Sequence, residues 1–566
     1  MTATRDTYAH KAIPQVPRLL GLQDRNRFSP SYGCFDRRYW LDKVSDFPTA
    51  LAQFGVQTLA LVYKHDFPGN VYRGQPKVRD WCLAGMDYWT RVQHEDGSLD
   101  EFYPFERGWV GPTGFTLYAV IDAVQRLGDE VPPDLLARIQ DGAYRAASYI
   151  SRYGESGGIL ANHHAMAVLA VRRAYELLDE PELERGFQAK WQSFLRWHTD
   201  EGWSLEYDGV DPGYLSATVS FLGKVYQTWP DEGLLQVLRG AVEFASYFVY
   251  PDGYYAGSTG SRQTLHFYPH GFEILAPQVP LAGAVAQRLL DGLAEGALVP
   301  PEIQADRYFL YRIPEFLQSY LDAQPRPADL PPLPYQREPF RKYFPGAGVF
   351  VARAHNSYLV ANLAKGGVVK AFSLDPPRLA YDDCGIIGTL DDGTVVSSQW
   401  IDPNHKVRVD PSGDRLEVEG SLNKVAAAKY FTPLKTIIFR AVLLAVGWNT
   451  RLCQLMKGNI RKVLMLGTRP LPIRFRRTIQ LDPDGTPTAV SDHVRLDGSA
   501  RFKALSVGDE FAVRYVPQSR YFQRYELDVA GYDLSADDLR RLHQAGEITI
   551  TRRFDVATGQ VNTEVQ

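Results

Sequence analysis

The stretch GGILANHHAMAVLAVRRAYELL, residues 157–178, decides how the first half of this sequence folds. It opens with two glycines, passes through Asn162, His163 and His164, and then carries apolar residues at three- and four-residue spacing. That spacing predicts a helix with one buried side. An asparagine and two histidines at the start of such a helix call for an explanation beyond packing.

Helical patterns of this kind recur from residue 45 to residue 320, each after a polar turn. Glycines stand in these turns at Gly97, Gly157, Gly202 and Gly253, and the interval of about 45 to 60 residues fits a repeated helical hairpin with a loop. The turns are rich in aromatic, acidic and histidine residues. Stacked hairpins could form an open solenoid or close into an α/α toroid. The character of the turns favours closure, with the turns converging on one cleft.

The second half of the sequence has a different pattern. Six prolines between Pro325 and Pro339 predict a linker. Beyond it, short alternating runs such as GVFVARAHNSYLVANLA, FAVRYVPQ and EITITRRFDV predict antiparallel strands. We predict an α+β multidomain chain with a helical toroid over residues 1–322, a linker over 323–340 and an antiparallel β-sandwich over 341–566.

Composition narrows the class of function. A net charge of −4 over 566 residues gives no sign of nucleic-acid binding. The four cysteines form no CxxC pair, and Asp402, His405, Asp492 and His493 lack the spacing of metal ligands, so we predict neither metal nor cofactor. The N-terminus lacks an apolar signal core, so we expect a cytoplasmic protein. The oligomeric state stays open.

Polar side chains gather at three of the turn-to-helix junctions. An amide, imidazoles, phenols and a guanidinium in one cleft suit removal of a weakly acidic proton next to a carboxylate, where donors must neutralise the growing charge. A histidine or tyrosine can take the proton, and a tyrosine can protonate the leaving oxygen. A tyrosine base needs a lowered pKa, which a neighbouring cation such as Arg262 would provide. The junction residues are Asn162, His163 and His164; Glu206, Tyr207, Asp211 and Tyr214; and Arg262, His266, Tyr268 and His270.

Structural roles remain open for the same side chains. Asn162 could cap its helix, Tyr214 could be a turn aromatic that packs on the core, and His266 and His270 could be a structural pair. A glycoside hydrolase is a further alternative. It would use two carboxylates from the set Glu101, Glu106, Glu206 and Asp211.

Asn-His at the start of a toroid helix, followed about 50 residues later by Tyr in a PGY turn, resembles the heparinase II/III-like and alginate lyase families. The resemblance implies an incomplete α/α toroid followed by an antiparallel β-sandwich, over nearly the whole chain. It implies that Asn162 neutralises the substrate carboxylate, that His163 is catalytic, and that Tyr214 is the acid and with some substrates also the base. His266 or His270 would be a further active-site histidine.

We therefore predict a polysaccharide lyase that cleaves uronic-acid glycans by β-elimination, with a role in capsule or exopolysaccharide metabolism. The alternatives are a uronate C5-epimerase on the same scaffold, as in the dermatan sulfate epimerases, and a non-catalytic glycan-binding protein of a polysaccharide-assembly complex. The predicted catalytic residues are Asn162, His163, Tyr214 and His266, and the predicted substrate-binding residues are His164, Glu206, Tyr207, Arg262, Tyr268 and His270. The expected partner is an acidic polysaccharide.

A basic, apolar segment interrupts the predicted sandwich near 433–477. Between Lys435 and Arg477 it holds ten Lys or Arg residues and no Asp or Glu. Its apolar run is too short to span a bilayer. We expect 435–466 to make peripheral contact with the inner face of the membrane. The alternative is an insertion that packs on the helical domain and turns its cations to solvent or to a polyanionic substrate.

Overall fold

The structure is a computed structural model, and it describes residues 2–44, 49–101, 107–154, 159–425, 432–461, 467–508, 511, 513, 521–528 and 531–566. The turn glycine Gly157 and the candidate carboxylate Glu106 lie outside these residues, as does most of the predicted strand FAVRYVPQ.

Residues before the proline-rich segment form mostly helices, because their apolar residues follow helical spacing. The helices are α1 (Asp6–Ala12), α2 (Val16–Leu22), α3 (Arg37–Trp40), α4 (Gly55–Lys64), α5 (Pro76–Val92), α6 (Phe115–Leu127), α7 (Pro133–Arg152), α8 (Ala161–Leu178), α9 (Pro181–Leu195), α10 (Pro212–Tyr226), α11 (Glu232–Ser246), α12 (His270–Leu275), α13 (Pro280–Glu295) and α14 (Asp306–Asp322). Short strands β1 (Leu99–Asp100), β2 (Arg107–Gly108), β3 (Ile159–Leu160) and β4 (Glu206–Tyr207) lie between them.

Eleven of these helices form an inner ring and an outer layer. Helices α4, α6, α8, α10, α12 and α14 pack side by side in this order, and α14 comes round to contact α4. Helices α5, α7, α9, α11 and α13 lie outside them. The inner position explains the composition of α10, which is buried along its whole length except at Tyr214 and Tyr226. This arrangement is the predicted α/α toroid.

The repeated glycine turns lead from an outer helix to the next inner helix, and they contact the following outer helix on the way. Gly97 and Gly202 have φ angles of +89° and +90°, in the left-handed region that favours glycine. A Cβ on Gly97 would lie 2.1 Å from the carbonyl oxygen of Arg145 on α7, and one on Gly202 would lie 2.3 Å from that of Gly240 on α11. Each turn therefore packs its backbone directly on the next outer helix.

Beyond the proline-rich segment the chain forms two antiparallel sheets. The first strand begins at Phe340, after α14 ends at Asp322. The strands are β5 (Phe340–Phe344), β6 (Val349–Arg353), β7 (Ser357–Asn362), β8 (Val368–Leu374), β9 (Pro377–Asp383), β10 (Ile386–Leu390), β11 (Val395–Ser397), β12 (Lys406–Val409), β13 (Arg415–Lys424), β14 (Pro470–Leu481), β15 (Pro487–Leu496), β16 (Phe502–Val507), β17 (Tyr532–Asp533), β18 (Glu547–Phe554) and β19 (Val561–Val565). Helix α17 (Ala536–Ala545) lies between β17 and β18.

The smaller sheet, β5 to β9, is a meander of consecutive strands. The larger sheet has the order β17-β16-β10-β11-β13-β14-β15-β18-β19, with β12 added at β13. Side chains such as Phe350 and Leu359 face the larger sheet and fill the core of the predicted antiparallel β-sandwich. Val351 and Tyr358 belong instead to the core of the helical domain. The smaller sheet is therefore buried on both faces.

The basic insertion joins β13 to β14 and contains two helices, α15 (Pro433–Val446) and α16 (Thr450–Arg461). The predicted end of the insertion at 477 is too late, because β14 begins at Pro470 and pairs with both β13 and β15. Among the residues that the structure describes, no helix has the length and apolarity needed to cross a membrane.

Candidate functional site

A cavity of about 80 Å³ opens where the N-terminal ends of the inner helices meet. Helix N-termini carry a partial positive charge, so this arrangement favours an anion in the cavity. The lining residues are Leu51, Glu101, Gly111, Phe115, Asn162, His163, Tyr214, Ala217, Phe221, Tyr268, Arg307, Tyr308 and Tyr311.

Asn162 lies in the first turn of α8 and is fixed by Glu206. Strands β3 and β4 pair just before this turn. Their pairing brings the Glu206 carboxylate to Asn162, whose backbone N–H and side-chain Nδ2 donate to Oε1 at 2.6 and 2.8 Å. The helix starts at Ala161 and has no side-chain cap, so Asn162 is not the capping residue that the structural alternative supposes. Its amide is held in place at the cavity wall.

Glu206 itself is buried behind Asn162. Burial raises the pKa of Glu206 to about 8, and the negative charge of Asp211 acts in the same direction, although the two donors of Asn162 and the charge of Arg262 oppose it. The carboxyl group is therefore mostly protonated at neutral pH. Because it contacts Asn162 and is absent from the cavity lining, it positions the amide rather than meeting the cavity.

Tyr214 lies at the start of α10. Asp211 caps this helix by accepting from the backbone N–H of Tyr214 at 3.2 Å, and its other oxygen accepts from the backbone of Arg262 at 2.9 Å. Burial, followed by the phenols of Tyr308 and Tyr207, raises the pKa of Tyr214 well above its usual value. The expected lowering by Arg262 does not occur, so the environment keeps the Tyr214 phenol protonated.

The two histidines of α8 have different surroundings. His163 lines the cavity and is partly exposed, with its ring edge-on to Phe115 at 6.2 Å between centroids. His164 is buried against Trp109, with 5.1 Å between ring centroids. Only His163 of this pair reaches the cavity.

The third junction contributes one lining residue among those predicted. Tyr268 lines the cavity, and His266 lies behind it, stacked on Tyr308 with 5.3 Å between ring centroids. Arg262 is buried away from the lining, paired with Asp208 at 3.2 Å and lying over the ring of Tyr207 at 4.4 Å. Tyr207 also stays outside the lining.

His270 lies in a different buried network. Its Nε2 is 2.5 Å from a carboxylate oxygen of Asp322, and its backbone N–H donates to Glu315 at 3.1 Å. Burial, and next the charge of Lys224, lower the pKa of His270. The structure therefore brings Asn162, His163, Tyr214 and Tyr268 together at the cavity, and it leaves His164, Glu206, Tyr207, Arg262, His266 and His270 outside its lining.

Helix α14 supplies lining residues that the sequence analysis missed. Arg307, Tyr308 and Tyr311 all come from its first two turns. The guanidinium of Arg307 is 3.2 Å from the carboxylate of Glu101, and Tyr308 hydrogen-bonds with the Tyr214 side chain. The sequence DRYFLYR, which places a cation and two phenols at the start of the last toroid helix, could have indicated these lining residues.

The carboxylates proposed for a glycoside hydrolase are placed apart. Glu101 faces the cavity, whereas Glu206 and Asp211 are buried behind it as supports.

The candidate metal ligands have other partners: Asp492 pairs with the buried guanidinium of Arg477 at 2.7 Å. Among the described ranges, no group of three or more His, Cys, Asp or Glu residues could hold a metal ion.

Comparisons with known proteins find likenesses in structure alone. Neither protein-family profiles nor curated protein sequences match this chain. Chondroitin AC lyase from Streptomyces coelicolor A3, solved with chondroitin sulphate, aligns with a TM-score of 0.51 and 11% identity over 89% of this chain and 67% of its own. Paenibacillus xanthan lyase aligns with a TM-score of 0.49 and 10% identity over 88% of this chain.

Heparan sulfate lyase HepC from Pedobacter heparinus aligns with a TM-score of 0.40 and 12% identity, over 81% of this chain and 63% of its own. The chain spans less than half of the xanthan lyase, 46% of its length. Identities this low carry the fold and no site residue. The predicted resemblance to toroid-and-sandwich polysaccharide lyases is confirmed at that level: this chain shares its fold, an α/α toroid followed by an antiparallel β-sandwich, with the Streptomyces chondroitin AC lyase.

Proposed function

We propose that this protein is a polysaccharide lyase that cleaves uronic-acid-containing glycans by β-elimination. The observation that carries the proposal is the meeting of Asn162, His163 and Tyr214 at one cavity lined by the inner helix ends. These groups match the three tasks of the reaction: neutralising a carboxylate, removing the α-proton and protonating the leaving oxygen.

Asn162 would neutralise the substrate carboxylate. Its amide has two N–H donors, and Glu206 engages Nδ2 at 2.8 Å, so the second donor can serve the substrate. The inner helix ends add positive potential at the same cavity, where the Arg307 guanidinium is paired with Glu101. Donors fixed before the reaction stabilise developing charge without reorganisation.

His163 would remove the proton at C5, and Tyr214 would act as the acid. Imidazole is the side chain suited to accept a proton near neutral pH. Tyr214, whose pKa is raised by burial and by neighbouring phenols, keeps its proton until the glycosidic oxygen at C4 leaves. The C4–O bond breaks as a C4–C5 double bond forms, and the phenol proton passes to the leaving oxygen.

The test is the ultraviolet absorbance of the unsaturated product. Purified protein is incubated with alginates, glycosaminoglycans and bacterial uronic-acid polymers, the last of which represent the proposed role in capsule or exopolysaccharide metabolism. We expect absorbance to rise on at least one polymer, and Tyr214→Phe to lower kcat by about 10²- to 10⁴-fold. The matched control is Tyr226→Phe, at the other end of α10, which should leave kcat unchanged.

The alternatives are outcomes of the same panel. When the panel is run in deuterated water, incorporation of deuterium at C5 without a rise in absorbance would identify the uronate C5-epimerase. This result would overturn elimination. Binding of a polymer with neither signal would identify a non-catalytic glycan-binding protein.

A further inference from the structure

The helical hairpin of α15 and α16 carries an unusual concentration of exposed apolar side chains. Half of the large apolar side chains exposed in the described ranges belong to these two helices and their connection. They are Leu434, Ile437, Ile438, Val442, Leu444, Trp448, Leu452 and Leu455, each at least 40% exposed, and we call them the apolar surface of the hairpin.

Helix α15 has the composition of a buried helix without being buried. Its sequence PLKTIIFRAVLLAV is apolar nearly all round, yet only Leu443 is buried. Helices that are apolar on all sides normally lie in a protein core or in a membrane. At 14 residues, or about 21 Å, this one is too short to span the hydrocarbon layer.

The other side of the hairpin is fixed to the toroid beside the cavity. Thr450 Oγ1 donates to Asp96 at 3.1 Å, and Lys457 Nζ donates at 2.8 Å to Glu101, which lines the cavity. Cys453 on the same side is buried. These contacts direct α16 toward the helical domain and leave the apolar surface facing outward.

The sandwich itself does not require the hairpin. Strands β13 and β14 are antiparallel neighbours, with Asn423 paired to Pro470, and a tight turn suffices to join such strands. The chain instead makes an excursion through two helices. An added element with a large exposed apolar surface marks an interaction site.

We propose that the hairpin docks on the surface of an anionic lipid bilayer through this apolar surface. The segment from Thr432 to Arg461 contains cations and no Asp or Glu, and Lys435 and Arg451 are exposed next to the apolar side chains. Apolar burial combined with attraction to anionic headgroups is how interfacial helices bind membranes. A second copy of the chain suits the surface poorly, because a symmetric contact would bring like charges together.

The experiment uses flotation of the full-length protein with vesicles of phosphatidylcholine, alone or mixed with phosphatidylglycerol. We expect binding to the anionic vesicles that weakens as salt is raised. Combining Ile437→Ser, Leu444→Ser and Leu455→Ser should reduce it at least tenfold. The matched control combines Phe28→Ser, Val71→Ser and Val561→Ser, which remove exposed apolar side chains elsewhere and should bind as the unmodified protein does.

Two further measurements distinguish the electrostatic contribution to binding from insertion of the apolar surface. Lys435→Glu with Arg451→Glu should abolish the preference for anionic vesicles, whereas Lys503→Glu with Arg553→Glu, an equal change in charge elsewhere, should not. Trp448 fluorescence, isolated by subtracting the Trp448→Phe spectrum, should shift to shorter wavelength on binding. Failure of the intact protein to float, or flotation that survives the apolar triple variant, would overturn the proposal. The proposal would also be overturned if the unmodified protein and the control variant were dimers in solution and the apolar triple variant were a monomer. None of these measurements requires the proposed lyase activity.

Discussion

The carboxyl group of Glu206 supports the amide of Asn162 from behind, and this pairing shows what the sequence could and could not indicate. The position of Asn162, His163 and Tyr214 at the cavity was predictable because they follow the repeated turns. The support by Glu206 was not, since it depends on the pairing of β3 with β4, two short strands far apart in sequence. Periodicity also cannot tell that His270 turns to Asp322.

Glu206→Gln should change how stability depends on pH. With a folded-state pKa of about 8, raised by burial, Glu206 stabilises the fold fully below about pH 4.3 and loses this contribution as pH rises through 8. Glutamine mimics the protonated form and can still accept from Asn162. The free energy of unfolding of the variant should therefore exceed that of the unmodified protein by only about 1 kcal/mol at pH 5, and by an amount on the order of a few kcal/mol at pH 9.

Urea unfolding at several pH values measures this difference. Glu564→Gln, at an exposed carboxylate, serves as the control and should leave the pH profile unchanged. If the free energy of unfolding of Glu206→Gln differed from that of the unmodified protein by the same amount at pH 5 and pH 9, the raised pKa of Glu206 would be contradicted.

At the level of elements, the helices and most strands follow from their apolar spacing, and the glycine turns follow from their interval. The sequence could not show that Gly97 and Gly202 touch the backbone of the next outer helix, because this contact joins residues some 40 to 50 positions apart. Helix α14 was missed as part of the cavity because the segment before it, GALVPPEIQA, lacks the aromatic and histidine residues of the other turns. Both faces of the β5–β9 meander are packed, so strands such as SYLVAN are buried at every position. Such strands lack the alternation of apolar and polar residues that would mark a strand with one exposed face.

Gly202→Ala should destabilise the helical domain. The new Cβ would meet the Gly240 carbonyl oxygen at 2.3 Å, on a backbone already in the left-handed region. We expect a loss of about 1–3 kcal/mol in the free energy of unfolding, seen as a lower urea midpoint. Gly296→Ala serves as the control, because Gly296 has a φ of +82° with nothing within 4 Å of a Cβ. It measures the cost of the left-handed backbone alone, so the additional loss in Gly202→Ala measures the contact with Gly240. Equal losses in the two variants would rule out the backbone contact as the cause.

At the level of the whole molecule, the sandwich holds a loop of the toroid. Lys365, buried in the turn after β7, donates through Nζ to the carbonyl oxygens of Ser258 and Gly260 at 2.7 and 2.6 Å. Asn362 donates to Thr259 between them at 2.7 Å. This loop leads to the segment that carries Tyr268. The order of the two domains was predictable, but their mutual support was not, because it consists of contacts about 100 residues apart.

Lys365→Met should loosen that loop while retaining the aliphatic stem. Hydrogen bonds from a charged donor contribute about 1.5–3 kcal/mol each, so amide hydrogen exchange across residues 257–268 should accelerate at least tenfold. Lys503→Met, at an exposed position on β16, should leave that exchange unchanged. Unaltered exchange in Lys365→Met would mean that the toroid orders this loop without the sandwich.

The position of the β5–β9 meander has a consequence for synthesis on the ribosome. The toroid is translated first, and the side of it that later packs on Val351 and Tyr358 emerges uncovered. The strands that cover it are consecutive and are the next to be made, between Phe340 and Asp383. At ordinary elongation rates the uncovered interval lasts about ten seconds or less. The order of elements along the gene thus limits the time during which the nascent chain can aggregate through this surface.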